Sequence, residues 1–178
     1  RNDARILAEN LVIKFMEIVC LDTHLLIWGI KEESTEGQEE MIQKTKLFFR
    51  WLDENGIKAM IPSVVIGEFL MLIPHEMHDK ITNFFQKNFI VVPYDTASAS
   101  CFAKIWQKKN SDGTIEKLKN DISATRAKLK ADCQIVATAI THGASCIYSY
   151  DEHLAKFAEG YIEVKQIPDI PKQMQFPT

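Results

Sequence analysis

The sequence predicts an α/β domain, a three-layer α/β/α sandwich around a mostly parallel central sheet of about four or five strands. Three observations lead there. Short β-rich runs alternate with helix-patterned segments along the chain, the order that generates parallel strands joined by helical crossovers. The composition, 46% hydrophobic and 25% charged with few Gly or Pro, is that of an ordinary globular protein. Two acids, Asp22 and Asp151, directly follow strand-like runs, and such sheets gather their ligands at the carboxyl ends of strands.

Residues 17–21 (EIVCL) read as a short strand ending at Asp22, and 23–30 (THLLIWGI) as a buried helix. Residues 39–55 place Met41, Ile42, Leu47, Phe48, Trp51 and Leu52 on one helical face, with Asn55 and Gly56 as the stop. Residues 58–61 form a brief strand, after which Pro62 and Ser63 open an apolar helix to Ile73 that Pro74 closes. A helix over 76–88, a strand over 89–92 (FIVV) and a helix capped by Asp95 and running to about Lys108 continue the alternation. Ser111, Asp112 and Gly113 break that helix, and a lysine-rich helical stretch from Thr114 leads into a helix over 131–141 stopped by His142 and Gly143. Residues 144–150 form a strand, 152–159 a short helix, and 161–164 the last strand.

At 178 residues the chain suits one domain. Residues 16–178 are assigned to it, and residues 1–15, which precede Met16, to an N-terminal extension or an expression remnant. Those first residues mix acids and bases and lack the apolar centre of a secretory signal, and no apolar run approaches the roughly 20 residues that cross a bilayer. The expectation is a cytoplasmic protein without a membrane partner. Four widely spaced cysteines, with no Cys-x-x-Cys pair, suggest neither a zinc knuckle nor a disulfide framework. A net charge of −3 gives no global footprint for nucleic acid, so a polyanion site must come from local charge.

Four acids stand out. Glu68 is surrounded in sequence by Val64, Val65, Ile66, Phe69, Leu70, Met71 and Leu72, which predicts partial burial; a buried carboxylate must be protonated, paired with a cation or held on a metal. Asp132 shares a helical stripe with Ile135, Val136, Ala139 and Ile140, although a role in favouring the helix N-terminus, worth roughly 0.3 to 1 kcal/mol, would explain it without a metal. Taken singly, Asp22 and Asp151 read as simple N-caps. Together, at one end of the sheet, the four suggest an all-oxygen cluster for a hard ion, Mg²⁺ or Mn²⁺, and hence phosphodiester hydrolysis.

VCLDTHLLIW around Asp22, IPSVVIGEFL around Glu68 and KADCQIVATAITHGASCIYSYD ending at Asp151 resemble the PIN-domain ribonucleases, above all the toxins of bacterial type II toxin-antitoxin pairs. The likeness covers roughly residues 17–168. It implies that Asp22, Glu68, Asp132 and Asp151 are catalytic residues and ligands for Mg²⁺ or Mn²⁺. It further implies an RNA substrate, an antitoxin partner that brings a basic residue or helix to the acidic pocket, and a homodimer. The family often carries Thr-x-Asp at its last acid; here the hydroxyl is that of Ser149, placed to orient a ligand or water.

The stretch at 107–128 is longer than the corresponding connection in most short toxins and reads as a lysine-rich helical insertion. With its flanks it carries Lys104, Lys108, Lys109, Lys117, Lys119, Arg126, Lys128 and Lys130, which fits either an RNA-facing surface or the solvated side of a helix. Two readings from other classes stay open: a catalytically inactive PIN-fold module that binds RNA or a partner, and a phosphatase. The haloacid type of the latter needs a second Asp where this chain has His24, and a zincin would need His at position 79, which is Asp79. As a lone histidine, His24 is expected to pack or hydrogen-bond beside the first helix.

Overall fold

A computed structural model describes residues 17–120 and 125–170; the extension read at 1–15 and positions 121–124 of the lysine-rich stretch lie outside the described residues. Five strands, β1 (Ile18–Leu21), β2 (Lys58–Pro62), β3 (Ile90–Val92), β4 (Cys146–Tyr148) and β5 (Glu163–Lys165), form one sheet in the order β3-β2-β1-β4-β5. Every pairing is parallel, so the expected sheet is fully rather than mostly parallel. Its central strands are short and apolar because both faces are covered: Val19, Cys20, Leu21, Met60, Ile61, Cys146 and Ile147 are all buried.

The connections are helical. Between β1 and β2 come α1 (Thr23–Leu26), a π-helical turn (Ile27–Lys31) and α2 (Glu40–Glu54); between β2 and β3, α3 (Ser63–Leu70), a 3₁₀ turn (His75–Met77) and α4 (His78–Asn88). α5 (Thr96–Ser111), α6 (Thr114–Lys119) and α7 (Arg126–Thr141) lead to β4, and α8 (Glu152–Ala158) to β5. Phe48 of α2 packs on Tyr148 of β4 at a ring separation of 4.5 Å. In the layer built by α5, α7 and α8, Trp106 stacks on Phe157 at 5.8 Å. Among the described residues no helix is long and apolar enough to cross a membrane.

Several boundaries differ from expectation for local reasons. The first helix becomes a π turn from Ile27, where a Cβ on Gly29 would stand 2.5 Å from the Phe49 ring, so the bare glycine lets this segment lie against α2. α3 ends at Leu70 rather than Ile73, because the residue before Pro74 is restricted and the chain tightens through turns at Met71 and Leu72. α7 begins at Arg126 rather than 131, since the Thr125 side chain accepts the Lys128 N–H and supplies the cap. That early start makes Asp132 the seventh residue of α7, beyond the first turn in which the helix dipole acts.

Candidate metal centre

The strand order turns at β1: the chain runs outward through β2 and β3, then returns to lay β4 on the other side of β1. A crevice opens at the carboxyl ends of strands at such a switch point. The register continues one step past β1, where the Asp22 N–H donates to the Tyr148 carbonyl at 3.1 Å. Asp22 and the segment 149–151 therefore leave the sheet side by side.

Asp22 and Asp151 are N-caps, and each caps with one oxygen only. Oδ1 of Asp22 accepts the Thr23 N–H at 2.8 Å, while Oδ2 accepts the Ser149 hydroxyl at 2.6 Å. Oδ1 of Asp151 accepts the His153 and Leu154 N–H groups at 2.8 and 3.2 Å, while Oδ2 lies 2.9 Å from the Lys128 ammonium. Capping and a second task thus coexist in one carboxylate. Burial pushes Asp151 up, but the Lys128 hydrogen bond and the helix N–H donors outweigh it and hold the carboxyl below its ordinary range.

Glu68 is half-buried on α3 and accepts the Thr23 hydroxyl, so Thr23 joins it to Asp22 through its backbone and side chain. Among the described residues it forms no ion pair with Lys or Arg. Burial, with the charges of Asp22 and Asp151, raises its pKa despite the Thr23 hydrogen bond. Asp132 is 5% exposed, and its Oδ2 is buried with no hydrogen-bond partner. Burial first, then Asp151 and Asp22, push its carboxyl up to about 8. Lys128, one helical turn earlier on α7, opposes that rise.

The four acids predicted from sequence thus lie within one another's fields but do not form one compact set. Among the described residues, the group of three or more His, Cys, Asp or Glu side chains whose ligand atoms all lie within 4.8 Å of one another is Asp132, Asp151 and His153. Asp22 and Glu68 stand outside that span, linked to each other by Thr23 and, for Asp22, to the Asp151 segment through Ser149, whose Oγ accepts the Asp151 N–H at 3.0 Å. His24 lies beside Asp22, 3.7 Å from Oδ2, which raises the imidazole pKa, and its ring sits 5.7 Å from that of Trp28.

Three contributors were not singled out by sequence: Thr23, Lys128 and His153. The spacing of four from Lys128 to Asp132 was the available sign for the lysine, and Asp-x-His at a helix start for the histidine. The lysines of this stretch have different surroundings. Lys109 is buried and donates to the Glu159 carbonyl at 3.2 Å, and Lys108 lies 5.3 Å from the centre of the Tyr161 ring.

A divalent ion suits this donor set. An orphaned buried carboxylate oxygen is costly unless the group is protonated or something positive meets it, and two carboxylates with an imidazole nearby accept Mn²⁺, the carboxylates alone Mg²⁺.

Comparison with known proteins agrees with this architecture. The PIN domain family matches residues 19–160. Solved structures with the same fold include VapBC2 from Rickettsia felis bound to a DNA fragment from their promoter, at 12% identity and a TM-score of 0.59, over 84% of this chain and 98% of that one. DNA-bound VapBC from Salmonella typhimurium is similar at 18% identity and a TM-score of 0.57, over 86% of this chain and 100% of the other. Among curated proteins no significant match is found.

Proposed function

Because the chain belongs to the PIN domain family, we propose that it is a divalent-metal-dependent endoribonuclease, with Asp22, Glu68, Asp132 and Asp151 as its catalytic acids and Mg²⁺ or Mn²⁺ as its cofactor. The observation that carries this reading is the Asp132 carboxylate, with a buried, unpartnered Oδ2 and an oxygen within 4.8 Å of an Asp151 oxygen, at the switch point of the sheet. When bound, the ion would activate a water and neutralise the scissile phosphate.

The chain's own residues divide the remaining work. Asp132 and Asp151 would hold the ion. Asp22, fixed by the Thr23 N–H and the Ser149 hydroxyl, presents a carboxylate in a single orientation. Glu68, half-buried and raised in pKa, is suited to take a proton from water at its Oε atoms. Lys128, with a side chain 40% exposed, stands at the rim, where a phosphate would arrive.

The resemblance to bacterial toxins, and a fold shared with VapBC chains, support a toxin that works in the cytoplasm, is restrained by an antitoxin and pairs as a homodimer. Asp22→Asn is the direct test. It should abolish metal-dependent cleavage of RNA while circular dichroism stays native; undiminished cleavage would refute the assignment. Supplying DNA and a small phosphate ester alongside RNA separates this nuclease from its relatives in chemistry. One observation favours a second reading, an inactive RNA- or partner-binding module: Lys128 already neutralises Asp151. Such a module would bind Mn²⁺ weakly or not at all.

A further inference from the structure

We propose that His153 is a nitrogen ligand of the divalent ion, so that the centre is a mixed site of two carboxylates and one imidazole with a preference for Mn²⁺ over Mg²⁺; this rests on the metal-dependent reading above. Three observations meet here. His153 is 6% exposed, and a ligand nitrogen of its ring lies within 4.8 Å of carboxylate oxygens of both Asp132 and Asp151. Its Nδ1 is 3.9 Å from Asp151 Oδ1, too long for a hydrogen bond. The spacing of 4.8 Å or less between the trio's ligand atoms suits a single ion, whose arms are roughly 2.0–2.2 Å each. A carboxylate oxygen of Asp132 is the third point of the same small volume, and the Oδ2 of that carboxylate is buried without a hydrogen-bond partner.

The backbone fixes the arrangement. Asp151 caps α8 by accepting the N–H of His153 itself at 2.8 Å, which seats the imidazole beside the carboxylate that would share its ion. Asp132 arrives from α7, a different element, so closure of the trio depends on the packing of α7 on α8 rather than on one loop. An imidazole ligates an ion through the lone pair of a ring nitrogen. Mg²⁺ takes oxygen ligands and gains little from it, whereas Mn²⁺ accepts nitrogen more readily.

Pulsed electron paramagnetic resonance of the full chain loaded with Mn²⁺ tests this directly. The expected spectrum contains a ¹⁴N coupling that changes to ¹⁵N when histidine alone is isotopically labelled, and that persists in His24→Gln, which removes the imidazole nearest Asp22. His153→Gln should abolish the coupling and weaken Mn²⁺ binding on the order of tenfold while changing Mg²⁺ binding little. The labelled wild-type protein and His24→Gln decide the matter even where His153→Gln fails to fold. Bound Mn²⁺ with an all-oxygen shell, or a coupling lost in His24→Gln, overturns the proposal and leaves the metal-dependent reading standing. Failure of Mn²⁺ to bind overturns both.

Discussion

The Lys128 ammonium lies 2.9 Å from Oδ2 of Asp151, one helical turn before Asp132 on the same helix, and so occupies the edge of the acid cluster with a cation of the protein's own. An ion approaching Asp151 competes with it. Lys128→Ala should therefore tighten Mn²⁺ binding on the order of tenfold, as removal of one like charge at contact range predicts after solvent screening. The metal-free protein should lose only roughly 1–3 °C in Tm, because the lysine side chain is 40% exposed. Titration calorimetry and thermal melts read the two effects. Mn²⁺ affinity that stays the same or falls would show that Lys128 does not contest the site.

Asp132 makes the metal-free fold pH-sensitive. Its carboxyl, at 3.8 when unfolded, is pushed up to about 8 in the folded state by burial and then by Asp151 and Asp22. The folded chain therefore binds more protons between those values, and stability falls as pH rises from about 4 to about 8. Glu68 is raised as well and acts in the same direction, whereas Asp151 is lowered and its contribution is lost as pH falls. Asp132→Asn removes the largest of these effects. It should raise the metal-free Tm at pH 7.5 by roughly 2–8 °C and abolish the further rise that Mn²⁺ gives the wild type. An Asn variant melting below the wild type at that pH would contradict the burial of an unpartnered carboxylate.

Much of this was legible in the sequence because its causes are local. Strand-then-acid at Asp22 and Asp151, the apolar surroundings of Glu68 and the stripe through Asp132 all follow from short-range spacing, and the strand and helix order gave the parallel sheet. What escaped was set by packing across elements. A helix over 131–141 puts Asp132 at its start, but the cap at Thr125 lengthens α7 and removes the role in favouring the helix N-terminus. The nearness of His153, on α8, to Asp132, on α7, is not legible in the sequence, because the two meet only after those helices dock. The lysines at 104–130 carry one charge each in sequence, but burial assigns Lys109 to the Glu159 carbonyl and an ion pair assigns Lys128 to Asp151.

That division of the lysines is itself testable. Lys109→Met keeps the buried stem and removes the donor to Glu159, so Tm should fall by roughly 2–6 °C, the cost of losing one part-buried hydrogen bond from a charged donor. RNA affinity should keep its dependence on salt, because a buried ammonium releases no counterions from phosphate. Filter binding across a salt series measures this. A shallower slope in the variant would return Lys109 to the RNA-facing set.

Ser149 ties the two caps together: its hydroxyl donates to Asp22 Oδ2 at 2.6 Å, and its oxygen accepts the Asp151 N–H at 3.0 Å. Ser149→Ala leaves one carboxylate oxygen without its donor and one backbone N–H without its acceptor. If Ser149 only supports the fold, the variant will melt earlier and its remaining folded fraction will cleave RNA at the wild-type rate. If it orients Asp22 for the chemistry, turnover will fall roughly 10- to 100-fold in protein that is still folded, the loss typical for a group that fixes an acid at a metal centre. The second outcome is expected, since Asp22 is 4% exposed and Oδ2 is the oxygen left over from capping. Ser149→Thr retains the hydroxyl and should restore most of the rate, which a loss caused by altered volume at this 2% exposed position would not allow.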